Sequence, residues 1–499
     1  MAKKYTADSV EATSFTGSLF GTASNALTAS NLTPAMTNTG DNRILTSNGD
    51  GTINGEVYLT FDGNTLDIKG RVNQGDITFN TLSGTHAHTE GGYTVASETY
   101  SHAEGSGSQA TGIASHAEGL LTQAVGIGSH AEGYQTIASS SYAHSEGYQT
   151  IASGQASHAE GDSTLSIGNY SHAEGRFTTS SGTVSHAEGE GTKATGTGTH
   201  AEGLFTVAQG SYSHAEGYYT VSTGDFSHAE GRQTSASGAF GHAEGFDNNA
   251  IGEASHAEGR GTVSYGASSH AEGQETTASG SHSHAEGRLT GAYGDYSHAE
   301  GLSTQTIGDY SHTEGQGTKT PGAYSHAEGS STVAFGYSSH AEGLQTSASG
   351  DYSHAEGKGT LAIGDYSHAE GYYTTASGEY SHAEGQWSIA SGDYSHAEGK
   401  LTIASGAFSH AEGVEAVTLG MYSHAEGQGT ITAADYQHAQ GQYNISSSAE
   451  SAFIIGNGVN SANRSNLVFA SGSQLQVTGS LMVKDILQLE VRTTTPTPA

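Results

Sequence analysis

A histidine followed two residues later by a glutamate can hold a metal ion or move a proton. In this chain the pairing recurs at a fixed step. From His88 to His438 a histidine stands every 14 residues, at 26 positions without an insertion or deletion. Glutamate follows two residues after each of them except the last, where Gln440 stands. Catalysis needs one distinct pocket, so 25 identical His–Glu pairs read first as a structural ladder and not as active sites. Two places add a second histidine, "HAH" at 86–88 and "HSH" at 282–284. These are the candidate metal positions.

The elements that carry the pairs follow from the repeat. Counted from its serine, one turn reads S-H-A-E-G, two variable residues, T-x-A-x-G, then two more. Thr holds position eight in 21 of 26 turns, and Tyr or Phe holds position fourteen in 16. Each five-residue piece alternates small residues with others, the period of a strand. The constant length predicts stacked coils of strand, turn, strand, turn, because one extra residue would flip every later side chain. The expected fold is an all-β parallel β-solenoid. At a strand spacing of about 4.8 Å, 26 coils make a rod on the order of 120 Å long.

The faces can then be assigned. Positions one, three, five, eight, ten and twelve are small and point into the coil; six, seven, nine and eleven vary and face water. Positions two and four face outward yet stay His and Glu, so that face is expected to be buried against further copies of the chain. Position fourteen shares their parity. The expected interface residues include His102, Glu104, His214, Glu216, His298, Glu300, His382 and Glu384, with Tyr296 and Tyr380 beside them. The threonine column points inward, which argues against an ice-binding surface.

Composition supports the repeat reading. The chain has 499 residues, 73 of them glycine, with no cysteine and a hydrophobic fraction of 33%. Several globular cores would need more apolar residues. Disorder is disfavoured by 26 tyrosines and a charged fraction of only 13%. A formal charge of −35 argues against nucleic acid as a partner. Neither a secretory leader nor an apolar run long enough to span a membrane is read.

The register of Ser213 to Gly217 with Thr220, Ser222 and Gly224, and of Ser381 to Gly385 with Ser388, Ala390 and Gly392, resembles the head repeat of YadA-like trimeric adhesins. That resemblance spans roughly residues 84–456. It implies a left-handed parallel β-roll, three chains about one axis, with His and Glu where the family places Val and Ile. The segments 14–30, 42–70 and 451–469 resemble bacteriophage tail-fibre proteins, and "FDGNT" within the second is a hairpin signal. Phe453 to Ile455 stands where His-Ala-Glu is expected and could close the roll as a cap.

The expected organisation is an attachment segment over 1–83, a 26-coil roll over 84–441, and a cap and tail over 442–499. The resemblance implies a non-enzymatic, homotrimeric virion fibre that meets phage tail or baseplate proteins at one end and a host-surface receptor at the other. No membrane insertion is expected. A cellular surface adhesin is the alternative, and a tailspike depolymerase the more distant one, since a lattice without insertions offers no catalytic groove. Tyr218, Tyr219, Tyr372, Tyr373 and Trp387 are the candidate glycan contacts, because exposed rings can stack on sugars. Arg176, Arg232, Arg260 and Arg288, all at position six, are read as solvated. No cofactor is required, except that His86, His88, His282 and His284, taken from three chains, could surround a transition metal. Stacked carboxylates repel, so many lattice histidines are expected to be at least partly protonated in the trimer, with pKa values above about 6.5.

Overall fold

The computed structural model describes residues 80–480 and 482, and before them the backbone of the strands Arg43–Ser47, Ile53–Phe61, Leu66–Ile68 and Val72–Gly75. The chain forms two compact units, Met1–Gly191 and Thr192–Ala499. In the first, each coil contributes a five-residue strand and a two-residue strand, as in His102–Ser106 and Gln109–Ala110. Successive coils pair in parallel without a slip: His102 lies opposite His116 and Glu104 opposite Glu118. The second unit repeats the arrangement, for example in His354–Lys358 and Leu361–Ala362, with His354 opposite His368. Both units are thus the parallel β-solenoid of 14-residue coils expected from the repeat.

The interior is narrow. Alanines at positions three and ten, such as Ala103, Ala110, Ala355 and Ala362, are fully buried, as is the threonine of position eight in Thr122 and Thr360. The serine of position one closes the second turn: Ser353 Oγ donates to the Gly350 carbonyl at 2.6 Å. Glycine is enforced at position five. At Gly357 φ is +104°, and a Cβ there would lie 2.1 Å from the carbonyl oxygen of Gly371 in the next coil.

Positions seven and fourteen are left-handed in nearly every coil although most carry side chains, as at Tyr296 (φ 54°) and Tyr373 (φ 54°). Such a conformation costs about 1–2 kcal/mol for a non-glycine residue. Stacking offsets it: Tyr296, Tyr310 and Tyr324 stack at 4.9 and 5.0 Å along position fourteen, and such ring pairs contribute about 0.5–1.5 kcal/mol each.

Asparagine stands where threonine is usual at Asn80, Asn248 and Asn444. Asn80 in the first unit donates to the Gly91 carbonyl at 2.9 Å and accepts from the Thr94 N–H at 3.0 Å. In the second unit Asn444 accepts from the Ile431 N–H at 2.7 Å and donates to the Ile431 carbonyl at 2.9 Å. Each amide stands in for the peptide of a neighbouring strand.

At the N-terminal side, Arg43–Ser47, Ile53–Phe61 and Leu66–Ile68 pair as an antiparallel sheet, with Phe61 opposite Leu66 across the expected hairpin. The segment 14–30 lies outside the described residues. At the C-terminal side Phe453–Asn457 adds in parallel to His438–Gln442, placing Phe453 opposite His438 and Ile455 opposite Gln440. The antiparallel strands Asn466–Ser471 and Gln474–Val477 follow. The sequence reading did not foresee the latch beneath them. Gln437, at position one, accepts from the N–H groups of Ala433 and Ala434 and donates to the carbonyls of Ser447 and Ala449 at 2.7 and 2.6 Å.

Candidate functional site: the outward histidine–glutamate face

The five-residue strand turns its second and fourth residues away from the alanine interior, so each unit carries a histidine column beside a glutamate column. The rings are stacked and close to parallel: His102 and His116 lie 4.6 Å apart at 4°, and His382 and His396 lie 4.7 Å apart at 3°. Glutamates flank them without a hydrogen bond. The Nε2–Oε2 separations are 3.5 Å for His102 and Glu104, 3.7 Å for His214 and Glu216, and 3.7 Å for His298 and Glu300. Glu384 leans instead to the next coil, where its Oε1 is 3.9 Å from His396 Nε2.

The Nε2 atoms of His102, His214, His298 and His382 are sealed from solvent and make no hydrogen bond within the chain. A buried polar atom left so costs about 1–3 kcal/mol, and here that cost recurs along the column. The side chains themselves are only partly covered, His102 and Glu104 being 33% and 34% exposed. One chain thus presents a polar face that its own folding leaves incomplete.

In the single chain several histidines run against the expectation of charge. Burial lowers the pKa of His214, His298 and His382 below the ordinary value, and at His214 and His298 the stacked neighbours lower it further against the opposing pull of the glutamates. His396 is pulled down to about 4, first by burial and then by His410 and His382. The sequence reading set each histidine against its glutamate and overlooked the imidazoles above and below, which resist protonation together. The glutamates manage their own repulsion. Glu384 is raised to about 7, chiefly by hydrogen bonds with Glu370 and Glu398, and those two are lowered in turn by the same contact. Glu412 and Glu160 are likewise raised to about 7, with burial the leading cause. A proton held on alternate carboxyls lets adjacent coils carry glutamate without a cation between them.

Ligand atoms of His102, Glu104 and His116 lie within 4.8 Å of one another, a set repeated along the column. The ring geometry argues against a shared ion. A transition metal binds an imidazole nitrogen in the ring plane at about 2.0–2.1 Å. With neighbouring rings parallel, an ion in the plane of one lies a full stacking distance from the plane of the next. The two H-x-H sites divide between columns: His86 stacks on Tyr100 at 5.3 Å, whereas His88 stacks on His102 at 4.6 Å. In the second unit His282 stacks on Tyr296 and His284 on His298.

Tyr296 and Tyr380 belong to the position-fourteen column, which is distinct from the histidine face. The left-handed φ of 54° at both breaks the alternation that the parity argument carried through this position. They are 51% and 43% exposed in the single chain, and their neighbours cover the ring faces, leaving the edges. The candidate glycan contacts behave differently. Tyr218 and Tyr219 meet edge to face at 4.5 Å, as do Tyr372 and Tyr373 at 4.6 Å, and Trp387 packs against Tyr372 at 67°. All five are exposed at the first turn.

Residues 145–171, 327–353, 341–367 and 355–381 match the family model for the YadA head domain repeat (2 copies). These stretches lie one in the first unit and three in the second. No curated protein matches the chain.

Proposed function

We propose that this chain, whose coils carry YadA head domain repeats, is the non-enzymatic homotrimeric fibre of a phage virion, acting in structural projection and attachment to a host surface. The observation that carries the reading is the outward His–Glu face. It recurs in a lattice where other outward positions vary, and its imidazole and carboxylate side chains stay about one-third exposed in the single chain, as at His102 and Glu104. A second and third copy packed on this face would cover the parts of each imidazole and carboxylate that the single chain leaves exposed. Heads built of such repeats are trimeric adhesins, typically without catalytic activity. The interface would run along His102, Glu104, His214, Glu216, His298, Glu300, His382 and Glu384.

The phage assignment rests on the N- and C-terminal segments and on their resemblance to tail-fibre proteins. The repeat match also favours a cellular surface adhesin, the second reading. Electron microscopy of intact phage particles and producing cells, with gold labels on each terminus of the chain, tests both. Labels on tail projections are the expected result. Labels on cell envelopes alone would move the assignment to the surface adhesin.

A further inference from the structure

The position-six edge of the second unit, from Leu204 to Gln442, carries five cations (Arg232, Arg260, Arg288, Lys358 and Lys400) and no carboxylate, in a chain of net charge −35. Its first half is ordered by aromatic stacking. The Arg232 guanidinium lies 5.6 Å from the Tyr218 ring centre and 5.2 Å from that of Phe246, and Arg260 covers Phe246 from the other side at 5.8 Å. Tyr218, Arg232, Phe246, Arg260, Gln274 and Arg288 follow one another in register. Three guanidinium groups therefore recur every second coil, about 9.6 Å apart. Among the described residues none of the three makes an ion pair within 4.0 Å. The ion pairs of arginine there belong to Arg176 in the first unit, held between Asp162 and Glu190 at 3.9 and 3.3 Å.

The next column supplies the counterpart. Asp247 and Glu275, exposed at position seven, stand in the coils between the arginines. Along this ridge charge alternates: Arg232, Asp247, Arg260, Glu275, Arg288. A uniformly charged polyanion would meet a carboxylate at every second step. A chain with its anion on alternate units would not, and its neutral units would bring hydroxyl donors to Asp247 and Glu275. In an extended linear glycan of equatorially linked pyranoses one sugar spans close to one coil step, so a disaccharide spans two.

We propose that the alternating ridge Arg232–Asp247–Arg260–Glu275–Arg288 is a binding site for a linear acidic polysaccharide that carries one carboxylate per disaccharide. The guanidinium groups of Arg232 and Arg260, which lie over Tyr218 and Phe246, and that of Arg288 each pair with a uronate; charge-assisted pairing of this kind suits arginine more than lysine. The inference deepens the adhesive reading by naming a ligand class, and it rests on that reading only for its biological use.

The test uses the full-length protein and end-labelled oligosaccharides of equal length, read by fluorescence anisotropy. The probes are hyaluronan (charge on alternate sugars), polygalacturonate (charge on every sugar) and neutral dextran, with oligo-dT as the nucleic-acid arm. Hyaluronan is expected to bind more tightly than the other three. Arg232→Gln with Arg260→Gln should weaken it about tenfold or more, from the loss of two charge-assisted contacts. Lys193→Gln with Lys319→Gln, an equal change in charge at position nine, should leave it unchanged. Asp247→Asn with Glu275→Gln should erase the preference over polygalacturonate, and circular dichroism establishes that each variant is folded. Absence of hyaluronan binding, equal loss in both charge pairs, or oligo-dT binding as tight would overturn the proposal. Failure of the adhesive reading is separate. Arginine-dependent hyaluronan binding without attachment to any cell upholds the site and refutes adhesion; attachment without hyaluronan preference does the reverse.

Discussion

Two glycine substitutions two residues apart in the coil should differ sharply in cost. At Gly357, position five, an added Cβ would lie 2.1 Å from the Gly371 carbonyl oxygen, with φ at +104°. The obstruction is backbone, and Gly371 is itself held against Gly385 in the same way. Relief would require His354–Lys358 to move away from His368–Tyr372, breaking inter-coil hydrogen bonds worth about 1 kcal/mol each. Adding about 1–3 kcal/mol for the backbone conformation gives about 3–5 kcal/mol for Gly357→Ala. At Gly261, position seven, φ is +67° and the nearest atom to a new Cβ is Glu275 Cγ at 3.6 Å, an ordinary contact. Side chains occupy this position in other coils at a similar φ, as at Leu289 (58°). Gly261→Ala should therefore cost only about 1 kcal/mol. Urea denaturation followed by circular dichroism, with hydrogen exchange across 354–372, gives both numbers and their location. Equal small losses for the two variants would refute the stacking account of position five.

Three further outcomes follow from the same geometry. Histidines such as His214, His298 and His382 have folded pKa values below the unfolded value of about 6.5, so the stability they confer is full above it and lost as pH falls through it towards the folded values; His396 reaches about 4. The glutamates raised to about 7 act in the opposite sense, with a contribution lost as pH rises from the unfolded value of 4.5 through 7, but the affected histidines outnumber them. Melting temperature should climb between about pH 4 and 6.5 and change little above, whereas a maximum in mild acid would restore the charged-pair expectation. Gln437→Ala removes four hydrogen bonds at the latch and should open residues 443–452 to hydrogen exchange at a cost of about 1–3 kcal/mol; unchanged protection there would show the latch idle. Asn444→Ala leaves the Ile431 peptide without its amide partner and should likewise raise exchange at Ile431, with Asn444→Asp, which retains the acceptor, losing less.

Much of this fold is legible in the sequence because each coil makes the same contacts. The unbroken interval between lattice histidines fixes register, and the small residues at positions one, three, eight and ten mark the interior found at Ser353, Ala355, Thr360 and Ala362. The left-handed corners were missed because period-two parity was carried through position fourteen. A signal was present: glycine recurs at positions seven and fourteen, as Gly261, Gly359 and Gly198, all with positive φ. The histidine charge state was misread because the pattern shows His and Glu as neighbours along the chain, whereas burial of each ring, and at His214 and His298 the rings stacked on it, oppose the proton. The arginines were placed together at position six and read as solvated, because the aromatic rings and carboxylates beside them come from neighbouring coils. Stacking of the coils sets Phe246 between Arg232 and Arg260, residues 28 apart in sequence.

The central claim is that the outward His–Glu face is completed by other copies of the chain. Sedimentation equilibrium at micromolar concentration and neutral pH tests it directly. The account predicts one folded species at three times the 50.9 kDa chain mass, with no folded monomer on dilution until the circular dichroism of the coil is lost. A stable, folded monomer with its histidine columns open to solvent would contradict it.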